Sequence, residues 1–144
     1  MIEQDTIKLL RECDAGIKMG VSSIDDVLEY VDNEQLRRFL TASKEEHNEL
    51  DAELQKLLDR YGDEGKDPNP MAKSMSWMKT AVKLKLQESD ATIAALMTDG
   101  CNMGVKSLSR YLNQYAAADE VSKDICKRLI RIEEKLSVQL RDYL

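Results

Sequence analysis

Apolar and polar positions recur in steps of three and four along most of this chain, the signature of helices with one buried stripe. Over residues 3 to 31 the stripe reads Ile7, Leu10, Asp14, Ile17, Val21, Ile24, Leu28 and Val31, which predicts one long helix. A second stripe, Leu36, Leu40, Ser43, His47, Leu50, Leu54, Leu57 and Tyr61, predicts a helix ending near Tyr61. Between them Asp32-Asn33-Glu34-Gln35 reads as a tight turn, with Asp32 as N-cap and Gln35 completing a variant of the capping box. So short a linker makes the two helices antiparallel neighbours. The other face of the second helix, with Lys44, Glu45, Glu49, Asp51, Gln55 and Asp59, reads as solvated.

Gly62 to Pro70 is dense in turn formers, and Asn69 followed by Pro70 makes a good N-cap and first helical residue. A short helix is expected over 70 to 86, with Met71, Met75, Met78, Val82 and Leu86 on one face and Trp77 beside them. Ser89 or Asp90 offers the next cap, for a helix from about 90 to 117 whose inner face carries Ile93, Leu96 or Met97, Gly100, Gly104, Leu108, Tyr111 and Tyr115. A single kinked helix through 70 to 117 is the alternative, because neither Gly nor Pro enforces a break there. Asp119 caps the last predicted helix, with a stripe of Val121, Ile125, Leu129, Ile132, Leu136, Leu140 and Tyr143, flanked by Glu133. The expected architecture is all-α, an antiparallel four-helix bundle of two hairpins plus a short helix in the crossover.

A repeat ties the hairpins together. Residues 16 to 23, Gly-Ile-Lys-Met-Gly-Val-Ser-Ser, return at 100 to 107 as Gly-Cys-Asn-Met-Gly-Val-Lys-Ser. Each copy carries two glycines four residues apart, which let another backbone or a large side chain come close. Each glycine costs a helix about 1 kcal/mol relative to Ala, so packing must compensate. Asp14, Ser43 and His47 are the polar exceptions on otherwise apolar stripes. Their simplest reading is a satisfied buried cluster that hydrogen-bonds across the first two helices and fixes their register. The methionines with Trp77 read as adaptable packing, and Cys101 as an inert buried thiol.

Composition narrows the function classes. At 144 residues the chain is one domain, 1–144, able to bury a core without disulfides or metal. A formal charge of −6 disfavours sequence-independent nucleic-acid binding and anionic membranes. The 3 cysteines are widely spaced without a Cys-x-x-Cys pair, so they read as reduced thiols. The opening Met-Ile-Glu-Gln-Asp has no basic start or long apolar run, and a soluble cytoplasmic protein is expected. No Gly-rich phosphate loop, serine elbow or paired nucleophile motivates an enzyme.

Two hairpins related by a repeat and joined by a long crossover resemble the ferritin-like four-helix bundle. Cys101-Asn102-Met103-Gly104 through Tyr111 is similar to uncharacterised bacterial ferritin-like families. The dimetal members of that superfamily take a Glu from each of two helices and a Glu-x-x-His pair from each of the other two. Here Lys44 stands three residues before His47, Leu136 and Ser137 follow Glu133 and Glu134, and Cys101 and Gly104 stand where carboxylates are expected. The resemblance leaves Asp14, Glu46, His47 and Glu133 as a depleted inner set. It implies a non-enzymatic structural or interaction module without cofactor, working as a homodimer or larger homo-oligomer. Its alternative is a degenerate iron, manganese or zinc site, or a small-ligand site, built on Asp14, Glu46 and His47.

Overall fold

The computed structural model describes residues 2–66 and 89–144. Among these residues the regular structure is entirely helical: α1 (Ile2–Leu28), α2 (Glu34–Arg60), α3 (Ser89–Gln114), α4 (Glu120–Leu140) and a terminal 3-10 turn, Arg141–Tyr143. The expected helix over 70 to 86, its kinked alternative and the Met-Trp face lie outside the described residues. No described helix is long and apolar enough to cross a membrane.

Both hairpin turns are built the same way. Asn33 caps α2 by accepting the Leu36 N–H at 3.0 Å, and Asp119 caps α4 by accepting the Ser122 N–H at 2.8 Å. Each satisfies one of the orphan donors of a helix start. The cap of α2 is thus Asn33, one residue later than the expected Asp32. Across the bundle, the Asp90 carboxylate takes the backbone N–H groups of both Asp32 (2.9 Å) and Asn33 (3.0 Å). That contact also places the start of α3 beside the α1–α2 turn.

At the opposite end, Asp5 accepts the Ala117 N–H at 3.0 Å and Thr6 accepts the Asp119 N–H at 2.9 Å, so the α3–α4 turn sits against the first turns of α1. Consequently α1 and α4 run parallel, and α2 and α3 run the other way. Helix α1 packs on α2, α3 and α4, and α4 packs on α2 and α3 as well. The chain leaves α2 with Lys66 bound to Asp14 in the first half of α1, and resumes in α3 at the other end.

The core is divided in two. One apolar cluster joins Ile24, Val27, Leu36, Leu40, Ile93, Met97, Leu136 and Leu140. The other joins Leu9, Leu10, Ile17, Leu50, Leu54, Leu58, Leu108, Ile125 and Leu129. Fully burying each such side chain contributes roughly 1.5–3 kcal/mol. Two stripes differ from expectation. Leu58 rather than Leu57 is buried at the end of α2, and α4 turns Ser122, Cys126 and Glu133 inward while Val121 is 57% exposed.

Candidate functional site

Between the two apolar clusters lies a polar layer to which each of the four described α-helices contributes: Gly20 from α1, Ser43 and His47 from α2, Cys101 and Gly104 from α3, Glu133 from α4. His47 Nε2 is 2.7 Å from Glu133 Oε1, and Nδ1 is 2.7 Å from the Ser43 carbonyl oxygen. The His47 and Glu133 side chains are only 1% and 11% exposed. A carbonyl oxygen only accepts, so Nδ1 carries a hydrogen, and a carboxylate facing Nε2 holds the second. This geometry favours the imidazolium form of the ring. Burial by itself pushes the His47 pKa down, but the hydrogen bond and charge of Glu133, the Ser43 carbonyl and the Glu46 charge outweigh it and leave it raised.

Glu133 has a second partner in Cys101. Burial first, then the charge and hydrogen bond of Glu133, pushes this thiol well above its ordinary value, so it stays protonated and donates to the carboxylate. The second glycine of each octad lies on this pair. A Cβ at Gly20 would stand 2.8 Å from His47 Nε2, and one at Gly104 would stand 3.6 Å from Glu133 Oε2. The arrangement repeats between hairpins, because Asn33 to His47 and Asp119 to Glu133 are the same fourteen-residue step from cap to core. Chemically the layer is a closed ion pair whose polar atoms are turned on one another.

Asp14 belongs to a different cluster, 0% exposed. Its Oδ1 accepts from Gln55 Nε2 at 2.8 Å, and its Oδ2 accepts from the Lys66 backbone N–H at 3.0 Å and pairs with Lys18 Nζ at 2.9 Å. Gly65, at φ +84°, lies so close that a Cβ would come within 2.2 Å of Oδ2. Asp51 also faces Asp14: burial, then the hydrogen bond and charge of Asp14, raise its pKa to about 7 against the opposing pull of Lys18 and Gln55. Below about pH 7 the carboxyl of Asp51 is thus the donor of that contact. An open groove of about 280 Å³ runs over this side of α1 and α2, past Lys18, Asp25, Asn48 and Asp51.

Of the four residues nominated from sequence, the structure brings His47 and Glu133 together and leaves the others apart. Asp14 is six residues from Gly20, the α1 position opposite His47, and at 1.5 Å per residue this is about 9 Å along the axis. Glu46 is on the outside of α2, paired with Lys135 at 3.0 Å. No group of three or more His, Cys, Asp or Glu side chains is placed to hold a metal ion among the described residues. Asp51 and Gln55, expected on the solvated face, are half-buried partners of Asp14. The signal for them was Asp14 itself, since a carboxylate on an apolar stripe demands partners from the antiparallel neighbour. No protein-family model, no curated protein and no solved structure matches this chain.

Proposed function

We propose that this chain is a ferritin-like bundle that serves as a structural or interaction module, without a functional dimetal centre. The observation carrying this reading is the use to which His47 and Glu133 are put. Both imidazole nitrogens have protein acceptors, and Glu133 is bound by His47 and Cys101. An ion replacing that pair would have to strip the imidazolium of a proton and find further oxygen ligands that Asp14 and Glu46, engaged elsewhere, do not supply. The ferritin-like part of the reading draws support from the two antiparallel hairpins, the opposite ends at which α2 finishes and α3 starts, and the matching steps from cap to core.

Elemental analysis of the protein as isolated, and after anaerobic loading with iron, manganese and zinc, tests the proposal alongside His47→Ala and Asp14→Ala. The expected result is no stoichiometric metal, with both variants less stable than the parent. One equivalent of metal per chain that disappears in either variant would overturn it in favour of a metal site. As a self-assembling module the chain is also expected to associate in light scattering at micromolar concentration, and a strict monomer would leave only hetero-partners.

A further inference from the structure

The parallel packing of α1 against α4 keeps one register along its length. Asp119 N–H binds Thr6 Oγ1 across an interval of 113 residues. The Cβ position of Gly16 lies 3.6 Å from Leu129 Cδ2, and that of Gly20 lies 3.6 Å from Glu133 Oε1, each across the same interval. Cys13 and Cys126 are separated by that interval too, one turn from the Gly16 contact, and both are 0% exposed in the same core cluster. The same register sets the two cysteines at one level of the α1–α4 packing, and a side-chain hydrogen bond joins their sulfurs there.

We propose that Cys13 and Cys126 form a two-electron redox site, a dithiol that a small hydroperoxide converts to an intramolecular disulfide joining α1 to α4. The two sulfurs are not equivalent. Cys13 donates its S–H to Cys126, which together with the charge of Lys127 holds the Cys126 thiol below its ordinary value despite burial. The same hydrogen bond, then burial, pushes Cys13 well up. The Cys126 S–H in turn donates to Leu108 O at 3.7 Å, a bond that has to open before the sulfur reacts. Of the two sulfurs, Cys126 is the one whose surroundings favour loss of the proton, so it takes the attacking role and Cys13 the resolving one.

The chemistry balances as follows. The Cys126 thiolate attacks one peroxide oxygen and the O–O bond breaks. The released alkoxide or hydroxide takes up a proton, and Cys126 becomes a sulfenic acid. Cys13 then loses its proton and attacks the Cys126 sulfur, the S–O bond breaks, and the departing hydroxide leaves as water. Two thiols and one hydroperoxide give a disulfide, one water and one alcohol, or two waters from hydrogen peroxide. Cys101 takes no part, because its S–H is committed to Glu133 in the polar layer.

The test is titration of the whole chain with hydrogen peroxide, followed by alkylation under denaturing conditions, intact mass and peptide mapping. The expected result is a fall from 3 alkylatable thiols to one, a mass lower by two hydrogen atoms, a linked Cys13–Cys126 peptide, and full reversal by dithiothreitol. Cys101→Ser should behave as the parent does. In Cys13→Ala the reaction should stop at a Cys126 sulfenic acid that dimedone traps. Three thiols persisting after prolonged oxidation, or a disulfide that uses Cys101 or links two chains, would overturn the proposal. The parent protein alone decides this, whether or not the variants fold.

Discussion

Gly20 and Gly104 hold the same place in the two octads, yet they meet different atoms, and the difference fixes opposite outcomes for one substitution. At Gly20 a methyl group would stand 2.8 Å from Nε2 and 3.0 Å from Cδ2 of His47, inside any normal contact distance. The ring cannot swing away without leaving Glu133, because its other nitrogen is tied to Ser43. Removing a partner from a buried ion pair costs about 3–5 kcal/mol, and the gain in helix propensity returns only about 1 kcal/mol. Gly20→Ala should therefore lose about 2–4 kcal/mol. At Gly104 the nearest atoms of Glu133 are at 3.6 and 3.7 Å, ordinary van der Waals contact. Gly104→Ala should be neutral or stabilising by up to about 1 kcal/mol. Urea denaturation at constant slope separates the two. Equal losses in both variants would mean that the glycines serve backbone packing alone.

At the scale of elements, each hairpin starts its second helix from one capping side chain, and losing either cap should cost about 1 kcal/mol. Asn33→Ala and Asp119→Ala are expected to destabilise by similar amounts in thermal or urea unfolding, since each removes one acceptor from the third backbone N–H of its helix. A loss confined to one of them would show that the tertiary contacts of the other turn substitute for its cap. The elements were the legible part of this sequence. Stripes of period 3.6, turn formers and caps depend on neighbouring residues, and they placed four helices within a few residues of those observed. What depended on distant residues was harder to read. Val121 was read onto the inward stripe of α4 yet is 57% exposed, because Ser122, Cys126 and Glu133 turn inward beside Ile125, Leu129, Leu136 and Leu140. A single polar seam residue looks like an edge until its partner, here His47 on another helix, is known. Asp14 and His47 were both rightly singled out as buried polar groups. Their grouping missed, because the antiparallel register of α1 and α2 decides which level of the bundle each one reaches.

For the whole molecule, a buried histidine and a half-buried carboxyl on different levels of the bundle make stability depend on pH in the same sense. The Asp51 carboxyl binds its proton with a pKa of about 7 in the fold against 3.8 ordinarily. Its contribution is fully present below 3.8 and is lost as pH rises through about 7. The raised pKa of His47 acts likewise: its contribution is fully present below 6.5 and is lost as pH rises through its folded value. Asp63 beside Arg11 and Glu53 beside Arg128 act in the opposite sense, their hydrogen bonds holding both carboxylates below their ordinary values of 3.8 and 4.5. These are exposed pairs, so screening keeps their part small, and they matter only at strongly acidic pH. Stability should therefore peak at mildly acidic pH and decline through neutrality, by at most about 1.4 kcal/mol per pH unit for each proton released. Self-repulsion in a chain of charge −6 adds to the same decline, so the slope of the parent alone does not assign it. Asp51→Asn does. The amide keeps a donor toward Asp14 and cannot ionise, so urea midpoints measured between about pH 6 and about pH 8 should fall less in this variant than in the parent. At the alkaline end it should be the more stable protein, by on the order of 1 kcal/mol for a half-buried carboxyl partly screened by solvent. Parallel profiles for the two proteins would mean that Asp51 releases its proton to solvent as freely in the fold as in the unfolded chain. The decline would then belong to His47 and to net charge.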